Sequence, residues 1–120
     1  MTENLISVVD DDESVRRTTT LLIESYGFRA AAFESAETFL NSGHLRDTSC
    51  LIVDVQMPGM DGLQLQRHLA AAGCGIPIIF ITAQKESKLR EQAFEQGAAQ
   101  FLYKPFSATA LFEALKETMK

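Results

Sequence analysis

A chain of 120 residues, of which 46% are hydrophobic and 22% charged, has the length and composition of one globular domain. The formal net charge is -5 and lysine and arginine form no cluster, which excludes a strongly basic domain that binds nucleic acid directly. No apolar run is long enough to span a bilayer, and residues 1–6 show no signal-peptide pattern. We therefore expect a single cytoplasmic domain over residues 1–120 with no membrane contact.

The first part of the chain alternates between strand and helix patterns. A strand is predicted over residues 6–10, and residues 28–33 form a second, weaker strand. Between them, side chains recur at helical spacing: Val15, Thr19, Leu22 and Tyr26. Gly27 is a helix stop signal, and Ser35 can cap a short helix that ends at Leu40.

The middle of the chain repeats this alternation. Residues 50–53 are a continuous apolar run that ends in Asp54, as expected of a strand covered on both faces. The turn residues "MPGMDG" at 57–62 precede a helix with an apolar face: Leu65, Leu69 and Ala72. A similar apolar run at 78–81 ends at Thr82 and predicts another strand.

The last third contains two more helices and one strand. A fourth helix has its apolar residues at Leu89, Ala93 and Phe94, and Gly97 ends it. Residues 101–103 predict the last strand, and Ser107 caps a closing helix. The inward face of that helix is predicted from its spacing: Leu111, Leu115 and Met119.

Five strands alternating with five helices predict a parallel sheet with helices on both faces. At this length we expect a flavodoxin-like, doubly wound α/β fold with the strand order 2-1-3-4-5. Ligands of such folds bind beyond the carboxyl ends of the strands, where the strand order reverses. For this order, the predicted crevice lies between strands one and three.

Acidic residues end both of these strands. Asp10 and Asp11 follow strand one and Asp54 ends strand three, so the three carboxylates should converge, because neighbouring strands lie about 4.8 Å apart. Thr82 and Lys104 belong to the same rim. Three carboxylates and one ammonium leave a charge of -2, which one divalent cation would neutralise. Oxygen ligands without histidine or thiol pairs favour Mg²⁺ or Mn²⁺ over Zn²⁺.

This pocket suits phosphoryl transfer, in which a protein mainly positions groups and offsets charge. A carboxylate can be the nucleophile and form an aspartyl-phosphate. We predict Asp54 as the acceptor because it stands alone, whereas the pair Asp10 and Asp11 can serve the cation. Lys104 and the Thr82 hydroxyl can hold the remaining phosphoryl oxygens.

Simpler structural roles exist for each of these residues. The acids at 10–12 could cap the first helix, and Asp12 is expected to do only that. Thr82 could merely end a strand, and Lys104 could lie along the surface. Their combination favours a functional site. Two histidines have no such cluster around them and receive no role: His44 and His68. Two cysteines have neither redox nor zinc spacing and are predicted to be free: Cys50 and Cys74.

Four segments, in this order and spacing, resemble the receiver domain of two-component response regulators. They are "VVDDDES" at 8–14, "LIVDVQMPGMDG" at 51–62, "IFITA" at 79–83 and "YKPF" at 103–106. The segment "SAETFL" at 35–40 further resembles the FixJ/LuxR-type branch, whose receivers usually precede a helix-turn-helix DNA-binding domain. We expect either a receiver separated from such a domain or a free-standing receiver, and the branch favours the former.

The resemblance implies that Asp54 accepts a phosphoryl group from a phosphohistidine on a partner histidine kinase. It also implies a bound Mg²⁺ that is held by Asp11, Asp54 and the backbone carbonyl of Gln56, with Asp10 acting through water. We expect a switch and not a turnover enzyme, with only Mg²⁺-dependent self-phosphorylation and slow self-dephosphorylation.

The resemblance further implies a switch made by Thr82 and Phe101, although Phe101 could equally be plain core. Phosphorylation would then alter the face of helix four, strand five and helix five, and could drive homodimer formation. The peptide bond between Lys104 and Pro105 is expected to be cis.

Two amide residues occupy the positions that tune the phosphoryl lifetime in this family, namely Gln56 and Gln84. The loop "AQKESK" at 83–88 departs from the family pattern, so the first turn of helix four is not predicted.

Two other functions would require different residues at this site. A phosphatase with an aspartyl-phosphate intermediate needs an acid two residues beyond the nucleophile, where Gln56 stands. A flavodoxin-like cofactor carrier needs a phosphate loop rich in Ser, Thr or Gly after strand one. The acids at 10–12 would instead repel a phosphate.

Overall fold

A computed structural model describes residues 4–83 and 87–119 of the chain. Five parallel strands form one sheet in the order β2-β1-β3-β4-β5, so the predicted flavodoxin-like topology is confirmed. The elements in chain order are β1 (Leu5–Val9), α1 (Glu13–Ser25), β2 (Arg29–Phe33), α2 (Ala36–Leu40), β3 (Thr48–Asp54), α3 (Gly62–Ala71), β4 (Ile78–Thr82), α4 (Ser87–Glu95), β5 (Gln100–Tyr103) and α5 (Ala108–Thr118).

The sheet separates two apolar cores. Strand β3 alternates between them: Leu51 and Val53 belong to the core that α2, α3 and α4 cover, whereas Cys50 and Ile52 belong to the core under α1 and α5. Both faces of β3 are buried, which explains its continuous apolar run. The sheet is therefore a stable frame for the loops at its carboxyl edge.

Helix ends follow the predicted local chemistry. Asp12, Ser35 and Ser107 are the N-caps of α1, α2 and α5. Each side chain accepts a hydrogen bond from the backbone N–H three residues later, at 3.2, 3.0 and 3.0 Å respectively. Gly27 and Gly97 follow α1 and α4 with φ of 92° and 100°, a conformation that favours glycine.

Strand β3 begins at Thr48, two residues before the predicted apolar run. The Thr48 hydroxyl forms a buried 2.7 Å hydrogen bond with Ser7 of β1. It also donates to the His44 carbonyl at 2.7 Å, so this polar residue is satisfied within the sheet. An apolar run alone could not reveal a polar strand start.

Three of the predicted apolar helix positions lie at or near the ends of helices. Ala72 is exposed because α3 has already ended, and it forms the C-cap. Met119 is likewise the C-cap of α5; it is half-buried and packs against the core under α1 and α5, as predicted. Phe94 of α4 is 39% exposed, although it still contacts the core through Phe101. Their correctly predicted neighbours are buried: Leu65, Leu69, Leu111 and Leu115.

The remaining structural predictions concern the cysteines, the membrane and one loop. Cys50 and Cys74 are both free, and burial raises the pKa of the Cys50 thiol to about 12. Among the described residues, no helix is long and apolar enough to cross a bilayer. Residues 84–86 of the loop before α4 lie outside the described ranges, as does the prediction for Gln84.

Gly62 begins α3 against the end of β3. A Cβ atom there would lie 2.5 Å from the Asp54 carbonyl oxygen and 3.0 Å from Val55 Cα. We expect Gly62→Ala to lower the free energy of unfolding by about 1–3 kcal/mol, because backbone atoms have to move. Urea denaturation followed by circular dichroism measures this loss.

Gly75→Ala is the matched control, because its Cβ would meet no atom within 4 Å. Its free energy of unfolding should be unchanged or higher by up to about 1 kcal/mol. Equal losses in the two variants would contradict the close packing of α3 on β3.

Candidate functional site

Three carboxylates meet at the carboxyl edge of the sheet, between β1 and β3. One oxygen each of Asp10, Asp11 and Asp54 lies within 4.8 Å of the others. The sheet register explains this convergence, because Val9 pairs with Val53 and an aspartate follows each of them in the chain, Asp10 and Asp54. The three acids that were predicted to converge lie together at this edge.

The three carboxylates differ in burial. Asp10 is fully buried, Asp54 is 6% exposed, and Asp11 is exposed to solvent. Burial raises the pKa of Asp10, although hydrogen bonding from the Asp12 backbone and contact with Lys104 oppose this shift; the Asp54 charge adds to it. The Asp12 N–H donates to Asp10 Oδ1 at 2.9 Å. Negative charge is therefore concentrated where water screens it poorly.

Lys104 supplies a positive charge to this cluster. Its Nζ lies 2.9 Å from Asp10 Oδ2 and donates a 2.7 Å hydrogen bond to Asp54 Oδ2. Burial lowers the pKa of Lys104, but the two carboxylates raise it more, so the pKa lies above its ordinary value. Lys104 is thus charged at neutral pH, and three carboxylates face one ammonium group.

Backbone contacts fix where Lys104 stands. It follows β5 directly, and its N–H donates to the Thr82 carbonyl at 2.8 Å. The peptide bond from Lys104 to Pro105 is cis. Thr82 ends β4, is 1% exposed and lies beside Tyr103 in the sheet register. The predicted threonine and lysine therefore share the rim that holds the acids.

Phe101 lies below this rim and belongs to the core. It is 9% exposed, and its ring centroid lies 6.3 Å from that of Phe80, 6.4 Å from that of Phe94 and 5.4 Å from that of Tyr103. These contacts connect β4, β5 and α4. Phe101 is thus a packed core residue of β5 that also contacts α4 through Phe94.

The loop between β3 and α3 is held at several points. The Gln56 N–H donates to Asp54 Oδ1 at 2.9 Å, and Gln56 is exposed to solvent. Farther along, the Met60 N–H donates to Glu37 Oε2 of α2 at 3.1 Å. Asp61 then caps α3 in a reciprocal box with Gln64. The loop that carries the Gln56 carbonyl is thus held by hydrogen bonds at Gln56 and at Met60.

Two contacts near the site were not predicted from the sequence. Arg16 Nη1 donates a 2.8 Å hydrogen bond to the Asp10 carbonyl, and Glu37 holds the loop at Met60. Neither arginine nor glutamate on a helix surface carries a pattern that identifies such a contact. Both depend on side-chain directions that only the folded chain defines.

The arrangement fits a hard divalent cation. All three converging ligand atoms are carboxylate oxygens, which suit Mg²⁺ or Mn²⁺. One cation would offset the charge that Lys104 leaves unbalanced. The same edge offers a nearly buried carboxylate, Asp54, beside an ammonium group, which is suited to accept an electrophile such as a phosphoryl group.

Known proteins share this architecture. Residues 6–116 match the family model of the response regulator receiver domain. Response regulator protein TmoT of Ectopseudomonas mendocina is 41% identical over 118 residues, which cover 98% of this chain and 54% of TmoT. Transcriptional regulatory protein FixJ of Azorhizobium caulinodans is 38% identical over 120 residues, which cover 99% of this chain and 57% of FixJ. The chain thus spans about half the length of these relatives.

A solved structure agrees with these sequence matches. The crystal structure of FixJ-N has a TM-score of 0.87 and 32% sequence identity to this chain. The alignment covers 98% of this chain and 94% of FixJ-N. The similarity therefore extends over nearly the whole fold, including the edge where the acids converge.

Replacing Lys104 by methionine tests the electrostatics of the cluster. The variant keeps an apolar stem but leaves the carboxylates of Asp10 and Asp54 buried without their ammonium partner. The free energy of unfolding at neutral pH should fall by about 1–3 kcal/mol. Urea denaturation in the absence of divalent cations measures the effect.

Lys116→Met provides the control, because Lys116 forms an exposed pair with Glu113 at 3.7 Å. Its free energy of unfolding should change by at most about 0.5 kcal/mol. If the two lysine variants were equally stable, the buried ion pairs of Lys104 would not matter for the fold.

Proposed function

Because the chain belongs to the response regulator receiver domain family of two-component systems, we propose that Asp54 accepts a phosphoryl group from a phosphohistidine on a partner histidine kinase. The observation that supports this acceptor best is the geometry of Asp54. Its carboxylate is nearly buried, is held by Lys104 and lies among the other two acids. The family is one of signalling proteins and not of turnover enzymes.

The transfer requires little chemistry from the protein beyond positioning. An Asp54 oxygen attacks phosphorus, the P–N bond to the kinase histidine breaks, and the electron pair stays on the imidazole nitrogen. The Gln56 N–H and Lys104 Nζ orient the attacking carboxylate. Lys104, and the Thr82 hydroxyl at the same rim, would then hold phosphoryl oxygens. Self-phosphorylation from a small phosphodonor and slow hydrolysis of the product follow the same geometry.

The proposal includes Mg²⁺ as cofactor, with Mn²⁺ as a substitute. Asp11, Asp54 and the Gln56 carbonyl would hold the ion, with Asp10 acting through water. The convergence of three carboxylate oxygens supports this assignment. When bound, the cation offsets the charge of the carboxylates and of the incoming phosphoryl group.

The output is proposed to be a change in the face of α4, β5 and α5. Phosphorylation would shift an existing equilibrium through Thr82 and Phe101. The packing of Phe101 against Phe94 and Tyr103 supports this path, since a displaced Phe101 would disturb α4 and β5 together. Homodimer formation on phosphorylation is part of the same proposal.

A role in transcription is proposed from the relatives. FixJ of Azorhizobium caulinodans is a transcriptional regulatory protein, and this chain covers 57% of it. We infer that the receiver controls a DNA-binding domain of the kind that the FixJ/LuxR-type branch carries, and that it works in the cytoplasm with its kinase.

Phosphorylation of Asp54 is tested by incubation with acetyl phosphate and Mg²⁺, followed by intact-mass spectrometry. The wild-type chain should gain the mass of one phosphoryl group, whereas Asp54→Asn should gain none. Asp47→Asn is the control and should be phosphorylated normally, because Asp47 is an exposed acid outside the cluster. A phosphoryl group on Asp54→Asn, or none on the wild type, would refute the proposal.

The cation site is tested by comparing two neighbouring acids that each lose one charge. Asp11 contributes an oxygen to the cluster, whereas Asp12 caps α1, a role that asparagine also performs. Isothermal titration calorimetry with Mg²⁺ should show roughly tenfold weaker binding for Asp11→Asn, a loss of about 1.4 kcal/mol. Asp12→Asn should bind within about twofold of the wild type. Similar losses in both variants would indicate diffuse attraction and no specific site.

A further inference from the structure

One side chain near the acids has no role in the proposed function. Arg16 lies early in α1, is half-buried, and its Nη1 donates a 2.8 Å hydrogen bond to the carbonyl of Asp10. The backbone N–H of Arg16 also donates to the Asp12 carbonyl at 3.0 Å. The turn between β1 and α1 is thus tied to the helix by both the backbone and the side chain of Arg16.

The carbonyl that Arg16 binds belongs to the peptide group between Asp10 and Asp11. Because a peptide group is planar, fixing its carbonyl oxygen also fixes the orientation of the N–Cα bond of Asp11. The Asp10 side chain has its own anchors, namely the Asp12 N–H and Lys104. The exposed Asp11 side chain makes no hydrogen bond or ion pair with another residue in the described ranges. Its direction therefore depends on the backbone of the turn.

We propose that Arg16 is a positioning residue for the cation site. By holding the Asp10 carbonyl, it orients the peptide from which the Asp11 carboxylate reaches the cluster with Asp54. The inference rests on the proposed function, because it takes the three acids as the Mg²⁺ site. It adds a residue outside the ligand set, of the kind that orients metal ligands by hydrogen bonding.

The direction of the change in Mg²⁺ affinity on removal of Arg16 distinguishes a positioning role from a purely electrostatic one. Arg16 carries a positive charge close to the acids, so its removal would strengthen cation binding if only long-range electrostatics mattered. Loss of the hydrogen bond to Asp10 would instead weaken cation binding, because Asp11 would sample other directions. The two explanations therefore predict opposite changes in Mg²⁺ affinity.

Arg17 offers a matched control. It is the next residue of α1, it is exposed, and it lies along the same surface groove as Arg16 and Leu21. Arg17→Met removes the same charge and a similar area without touching the Asp10 carbonyl. Arg16→Lys is the conservative variant, because it keeps the charge and an N–H donor on a long side chain.

The test is a Mg²⁺ titration by isothermal calorimetry on the wild-type chain and on Arg16→Met, Arg16→Lys and Arg17→Met. We expect roughly tenfold weaker binding for Arg16→Met, partial recovery in Arg16→Lys, and unchanged or tighter binding in Arg17→Met. If Arg16→Met folds too poorly for titration, Arg16→Gln replaces it with the same expected loss. Unchanged or tighter Mg²⁺ binding by Arg16→Met, or by Arg16→Gln where it replaces that variant, would overturn the inference.

A second readout separates this inference from the proposed function. The rate of phosphorylation by acetyl phosphate in Arg16→Met should be low at limiting Mg²⁺ and approach the wild-type rate at saturating Mg²⁺. A rate that stays low at saturation would also overturn the inference. If the wild-type chain binds Mg²⁺ and Arg16→Met binds it with equal affinity, only the role of Arg16 is refuted. A wild-type chain that binds no Mg²⁺ refutes the cation site and the role of Arg16 together.

Discussion

Electrostatic repulsion among three carboxylates is the constraint on which this structure depends. The register of β1 on β3 brings Asp10, Asp11 and Asp54 within 4.8 Å of one another at one edge, and Lys104 balances only part of their charge. Such a cluster lowers the stability of the folded chain, since buried like charges repel each other. In the proposed function a bound divalent cation would remove this cost, and the neutralised site would then be able to receive a phosphoryl group.

The rest of the fold explains how such a cluster can be held. The central strand β3 is buried on both faces by apolar side chains, so its end is fixed in position. Short loops then present the reactive groups, and each is tied by specific contacts: Asp12 to Asp10, Gln56 to Asp54, and Lys104 to Thr82. The groups of the proposed function thus lie at the carboxyl edge of the sheet, whereas stability comes from the layers below them.

Much of this arrangement could be predicted from the sequence. The strand order followed from alternating elements, and the pocket followed from acids placed at the ends of two apolar runs. Ala72 was placed on the apolar face of α3 although it lies beyond the end of that helix, because helix ends depend on packing between elements, which periodicity does not describe. Arg16 and Glu37 were missed because their contacts join segments through side-chain directions. The switch of Phe101 stays a prediction, since a single conformation shows its packing only.

The most direct test of the central claim is the stability of the chain with and without Mg²⁺. At a hundredfold excess of Mg²⁺ over its dissociation constant, the free energy of unfolding of the wild type should rise by about 2.7 kcal/mol. Asp54→Asn, which lacks the charge at the centre of the cluster, should gain far less at the same Mg²⁺ concentration. A wild-type chain that Mg²⁺ does not stabilise, or an equal gain in the variant, would contradict the account.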